Sequence, residues 1–128
     1  MNIPVLIVAC ITLLAFVAHL IGGTRETASL APAAQDTERT PHWVQAMCAF
    51  QMLSVDLLAV ALALFAIALW DMGPQEANFI TGFGLLYLAW AAAWVIQLRW
   101  LNRPAASLLR LPHWTVWIVC AALLLIAG

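Results

Sequence analysis

Asp56 is the residue that points most directly to chemistry, because it is the only charged residue in the long apolar run Trp43–Trp70. It lies near the middle of that run, where an ionised carboxylate in a membrane span costs about 2.5–3.5 kcal/mol. Thr12 and Tyr87 lie at similar depths in other apolar runs, and a protonated Asp56 hydrogen-bonded to their hydroxyls would reduce this cost. Two interpretations follow: a proton or cation site at mid-membrane, or a helix–helix hydrogen bond that fixes packing.

A line of polar residues leads towards Asp56. At 100° per residue, Gln45 lies within about 20° of Asp56 on a helix, and His42 lies on the same side. This line predicts either a hydrated half-path or a face that packs against neighbours. Gln51 and Ser54 project elsewhere, so a complete transport path is not evident.

The three histidines lie at the ends of apolar runs, at positions His19, His42 and His113. Three imidazoles on one side of a membrane are able to hold a metal, a haem or a quinone headgroup. The sequence has no H-x-x-x-H spacing, however, so hydrogen bonds to loop carbonyls are favoured over a ligand cluster.

Aromatic residues recur at helical spacing along the run Phe79–Leu98. They are Phe79, Phe83, Tyr87, Trp90 and Trp94. We expect this ridge to face lipid or a partner subunit, and a flat ligand such as quinone or carotenoid is the less favoured interpretation. Gly82, Ala89 and Ala93 form a separate narrow arc, which we expect to pack against another helix, since small residues let helix backbones approach closely.

Several function classes are excluded or not expected. A net charge of −1 without any Lys excludes a nucleic-acid module, which needs a basic patch. Cys10, Cys48 and Cys120 stand singly in apolar runs, so neither a disulfide framework nor a zinc ribbon is predicted. No nucleophile adjoins a base and no phosphate-binding loop is present, so a hydrolase or transferase is not expected.

These residues belong to a chain that is too apolar for a water-facing surface. Of 128 residues, 66% are hydrophobic and 9% are charged, whereas a soluble domain is about half apolar and about a quarter charged. Four apolar runs stand out: Ile3–Ile21, Trp43–Trp70, Phe79–Leu98 and Trp114–Ala127. They predict an all-α fold, an integral membrane four-helix bundle in which residues 1–128 form a single domain.

We predict helices near 3–21, 41–70, 74–100 and 113–127. Crossing the hydrocarbon core takes about 20 helical residues, so the fourth helix is short. It is predicted to be a thin span with Leu108, Leu109 and Leu111 as an interfacial lead-in, and the alternative is a segment that only re-enters the membrane.

Turn-forming residues separate the runs. Thr40-Pro41 reads as an N-cap followed by a proline in the first helical turn. Gly73-Pro74 is expected to end the second helix and start the third, with Gly in a left-handed conformation. Gly22-Gly23 is interpreted as a sharp exit from the first helix, which leaves a loop over residues 22–42.

All five basic residues are arginines, and they fall in two loops. Arg25 and Arg39 lie between the first two runs, and Arg99, Arg103 and Arg110 lie between the last two. With four spans these loops share one face, which the positive-inside rule makes cytoplasmic. Both termini are therefore predicted to lie outside.

Two short stretches carry a family resemblance. The sequence HLIGGTRE at residues 19–26, followed by SVDLL at residues 54–58, resembles small four-helix membrane proteins of bacteria that have no assigned function. The resemblance implies a multi-pass protein of the bacterial inner membrane. It implies no activity and no catalytic residue.

We therefore expect a non-catalytic accessory or structural subunit of a larger membrane complex. Its contacts would be membrane lipids and either protein partners or copies of itself, with no nucleic acid and no bound cofactor. One alternative is a small homo-oligomeric transporter or channel that uses Asp56. A further alternative is a redox subunit that binds haem, quinone or a pigment such as carotenoid through the histidines or the aromatic ridge.

Overall fold

The computed structural model describes residues 1–101, 108 and 111–128, and its regular elements are all helical. The helices are α1 (Ile3–Ala18), α2 (Thr24–Ser29), α3 (Arg39–Leu69), α4 (Glu76–Trp100) and α5 (His113–Ala127). A π-helical turn joins α1 to α2 and a 3-10 turn precedes α4. The described residues thus form four helical segments without a strand, and the all-α prediction is confirmed.

Three of these segments are long and apolar enough to cross a membrane. They are Ile3–Ser29 with 27 residues, Arg39–Leu69 with 31 and Gly73–Trp100 with 28. The fourth, α5, has 15 residues, which corresponds to about 22 Å at 1.5 Å per residue. Its full crossing stays a prediction. Of its proposed lead-in, Leu109 lies outside the described residues.

The first helical segment continues beyond its predicted end. Gly22-Gly23 does not end it, because His19–Gly23 forms a π-turn in which the Thr24 N–H donates to the His19 carbonyl. Gly23 has helical dihedral angles, and the polar residues of α2 then extend the helix to Ser29. The interpretation of Gly22-Gly23 as a helix exit is therefore wrong, and the predicted loop is much shorter.

The N-terminus of α3 is capped by Asp36. Its Oδ1 accepts the Arg39 N–H at 3.0 Å, and its carbonyl oxygen accepts the Thr40 hydroxyl at 2.6 Å. The carboxylate also forms an exposed ion pair with Arg39 at 3.6 Å. The predicted cap at Thr40 is wrong, because α3 begins at Arg39 and the Asp36 carboxylate accepts the Arg39 N–H.

The turn between α3 and α4 matches its prediction. Gly73 has a φ of +67°, which is the left-handed conformation that glycine adopts without a steric penalty. The Asp71 carboxylate accepts the Gly73 N–H at 2.8 Å. Pro74 lies in the 3-10 turn Gly73–Gln75 that leads into α4.

The chain forms two compact units, one of Met1–Val8 with Phe65–Gly128 and the other of Ala9–Leu64. In the first unit α4 packs against α5, and a Cβ on Gly84 would lie 2.9 Å from Leu125 Cγ. Gly82, Ala89 and Ala93 are exposed instead. The expectation that the small-residue arc packs against another helix is therefore wrong, and the close approach to α5 occurs at Gly84 instead.

Replacing Gly84 with Val is expected to lower the free energy of unfolding by about 1–3 kcal/mol, because the added atoms overpack the contact with α5. Gly82→Val is the matched control in the same helix, since nothing lies within 4 Å of a Cβ at Gly82. Unfolding by SDS titration, followed by tryptophan fluorescence, measures both. Equal losses would show that α4 does not pack through Gly84.

Candidate functional site

Asp56 lies on the exposed side of α3, near the middle of the helix. Its neighbours Ser54 and Leu57 are 3% and 2% exposed, so the helix turns its buried side away from the carboxylate. No hydrogen bond or ion pair to Asp56 occurs in the part of the chain that the structure describes. The carboxylate therefore takes no part in packing among these residues.

Thr12 and Tyr87, the expected partners of Asp56, are both fully buried. Each has interactions of its own. The expected hydrogen bonds from these hydroxyls to Asp56 are not supported, because Thr12 and Tyr87 are buried whereas Asp56 is exposed. The sequence predicts how deep each residue lies along a membrane span, but it does not predict which side of the helix is buried.

A continuous exposed surface surrounds the carboxylate. We name it the Asp56 face, and it consists of Gln45, Ala49, Met52, Leu53, Asp56 and Ala59, which are all exposed. At 100° per residue these side chains lie within about 60° of Asp56. His42 is also exposed on this side. The predicted polar line is thus an outer surface of the chain, interrupted by small and flexible apolar side chains.

The residue His19 forms a polar contact inside the second unit. Its Nδ1 lies 3.0 Å from the Ser54 Oγ, and its ring stacks on Phe50 at 3.7 Å and 14°. Gly23 makes room for this stack, since a Cβ there would lie 2.6 Å from Phe50 Cζ. The expectation that no nucleophile adjoins a base is therefore wrong for Ser54. The two residues are 35 positions apart in the chain, and their spacing does not indicate that they meet.

Two further hydrogen bonds join the same helical segments. Gln51 Nε2 donates to Thr24 Oγ1 at 2.9 Å, and Trp43 Nε1 donates to the Thr27 carbonyl at 3.3 Å. Gln51 and Ser54, which project away from the polar line, therefore bind the first helical segment to α3. The polar residues of this unit divide into a paired inner set and the exposed Asp56 face.

The three histidines are divided between the two units, with His19 and His42 in the second and His113 in the first. His42 is exposed near the start of α3, and His113 is exposed at the start of α5 with its ring 4.8 Å from Trp94. Among the described residues no group of three or more His, Cys, Asp or Glu side chains is placed to hold a metal ion. Within the second unit, His19 is engaged by Ser54 and Phe50.

The aromatic ridge of α4 is largely an internal contact with α5. Tyr87 is fully buried, and the Trp117 ring lies 5.8 Å from Tyr87 and 5.6 Å from Trp90. Trp94 Nε1 donates to the Leu111 carbonyl at 3.3 Å. Phe83 is half-buried, whereas Phe79 is exposed. We expected this ridge to face lipid, a partner or a flat ligand. Instead, Tyr87, Trp90 and Trp94 pack within their own unit, against α5 and the residues just before it.

No protein-family model matches the sequence, and neither the curated proteins nor the solved structures include a significant match. The resemblance to small four-helix bacterial membrane proteins therefore rests on its two short motifs alone.

Replacing Ser54 with Ala is expected to lower the free energy of unfolding by about 0.5–1.5 kcal/mol, since it removes the hydrogen bond to His19. Asp56→Asn should change the value for the isolated chain by less than about 0.5 kcal/mol, as is usual for surface substitutions. SDS titration of both variants measures the contrast. A loss for Asp56→Asn as large as that for Ser54→Ala would place the carboxylate in the packing of its own chain.

Proposed function

We propose that the protein is a non-catalytic integral membrane protein, an accessory or structural subunit of a larger membrane complex in the bacterial inner membrane. The observation that carries the proposal is the exposure of Asp56 at the middle of α3, a helix long and apolar enough to cross a membrane. In contact with lipid an ionised Asp would cost about 2.5–3.5 kcal/mol at this depth. A neighbouring subunit that covers the Asp56 face removes this cost.

The remaining polar groups support a structural role. Ser54 is buried, and its hydroxyl lies between the His19 ring and the Phe50 carbonyl at 3.0 and 3.5 Å. A serine nucleophile needs contact with substrate as well as a base. This hydroxyl instead joins two helical segments, as does the Gln51 amide. The chain therefore uses its inner polar residues for packing.

The distribution of arginine supports an orientation with both termini outside. Arg25 lies in α2 and Arg39 at the start of α3, while Arg99 lies in the last turn of α4. Arg103 and Arg110 lie outside the described residues. The connections that carry these arginines are assigned to the cytoplasm by the positive-inside rule, and the Gly73 turn to the opposite side.

Native mass spectrometry of the protein, extracted from its own membranes in mild detergent, tests the proposal. We expect foreign subunits at fixed stoichiometry, and their loss in Asp56→Leu, because the polar contact across the interface is removed. Val55→Ala is the matched control, since Val55 is 67% exposed and lies about 100° away on the helix. A monomer or a pure homo-oligomer in the unmodified protein would contradict the proposal.

A small homo-oligomeric transporter or channel is the second candidate. The same exposure supports it, because a ring of copies could turn Asp56 and Gln45 towards a shared axis. Its weakness is the repulsion among like carboxylates in a medium of low dielectric constant, unless each binds a proton or a cation.

If the protein is this transporter, Asp56→Asn is expected to abolish pH-dependent flux, since the asparagine amide neither binds nor releases a proton near neutral pH. The measurement uses vesicles that contain the purified protein and a pH-sensitive dye inside. Asp71→Asn, in the turn after α3, is the control. Unchanged flux in Asp56→Asn would exclude the candidate.

A further inference from the structure

We propose that the partner covering the Asp56 face is a transmembrane helix of a different protein that carries a basic side chain, Arg, Lys or His, opposite Asp56. This inference rests on the proposed function and specifies the chemistry of the partner. An ionised carboxylate accepts hydrogen bonds and donates none. In an apolar interface it is stabilised most by a charge-assisted hydrogen bond from a cation.

A second copy of this chain has no exposed basic side chain in the middle of a helix, in the part that the structure describes. Its arginines there, Arg25, Arg39 and Arg99, lie near helix ends. The exposed histidines, His42 and His113, also lie at helix starts, and His19 is engaged by Ser54. The exposed side chains in the middle of the other helices are apolar, and the large ones include Leu14, Leu85, Leu88, Ile118 and Val119. Two copies in twofold contact through the Asp56 face would place like charges together. Charge complementarity therefore favours a different protein.

The surface around the carboxylate suits a closely packed helix. Ala49 and Ala59 are exposed on either side of Asp56 along the helix, and small side chains permit close backbone approach. Met52, one turn before Asp56, is 68% exposed, and its unbranched side chain adapts to irregular contacts. The partner helix thus has both room and a polar anchor.

Site-specific photo-crosslinking in the native membranes tests this inference. A benzophenone amino acid is placed at Met52 or Ala59 in the full-length chain, and the crosslinked peptides are sequenced by mass spectrometry. Two positions are used because either substitution alone can impair insertion. Leu62 is the control position, since it is 58% exposed and about 120° from Asp56.

The expected product is a crosslink from Met52 and Ala59, but not from Leu62, to a transmembrane segment of another protein. That segment should carry Arg, Lys or His within about one helical turn of the crosslinked residue, a rare feature in membrane spans. Asp56→Asn should reduce the crosslink yield at least about tenfold. Exchanging the charges, with Asp56→Arg and the partner's basic residue replaced by Asp, should restore it.

The other products separate this inference from the proposed function. A foreign transmembrane segment without a basic residue overturns the inference and leaves the subunit role intact. A crosslink to a second copy of this chain overturns the inference and favours the homo-oligomer. Adducts with lipid alone overturn both.

Discussion

A carboxylate in an apolar medium needs a hydrogen-bond donor or an opposite charge, and Asp56 finds neither in the described part of its own chain. The cost of leaving an ionised Asp56 uncovered, about 2.5–3.5 kcal/mol, is a sizeable fraction of the net stability of a small domain, which is about 5–15 kcal/mol. The carboxylate thus makes one outer surface of α3 unsuitable for lipid, whereas the other large exposed side chains in the middle of the described helices are apolar. The need to cover this carboxylate is the reason why we propose that the chain is a subunit of a larger membrane complex.

The buried polar side chains of the described residues contrast with Asp56, because they all form hydrogen bonds within the chain. Every buried side-chain nitrogen or oxygen in the described residues has a hydrogen-bond partner. His19 with Ser54, and Gln51 with Thr24, form a small polar seam that holds the first helical segment on α3. In the other unit, tryptophan indoles bond to carbonyls next to α5. Because the buried polar groups are all paired, the exposed and unpaired carboxylate of Asp56 stands out among the described residues and indicates a partner outside the chain.

Composition and turn residues predict the helical content, the number of helical segments and the Gly73 turn, because these depend on local chemistry and on overall apolarity. The orientation of each helix is not predictable in the same way. An apolar helix in this chain is hydrophobic all round, so periodicity does not identify its buried side. For that reason the sequence does not distinguish the arc of Gly82, Ala89 and Ala93 from Gly84, and it does not indicate the outward direction of Asp56. The π-turn and the Asp36 cap are not predictable from the pattern, because each depends on a shift of one residue or a few in the local backbone.

The π-turn at His19–Gly23 has a consequence for the evolution of the chain. One extra residue in a helical turn rotates everything after it by about 100° relative to a continuous α-helix. Thr24 and Thr27 contact α3 with this rotation in place. Deleting one residue and closing the π-turn to an α-turn would keep both residues on their present side, because the π-turn accommodates one residue more than an α-turn does. The length of the first helix can therefore change by one residue at this point while its polar end keeps its contacts with α3.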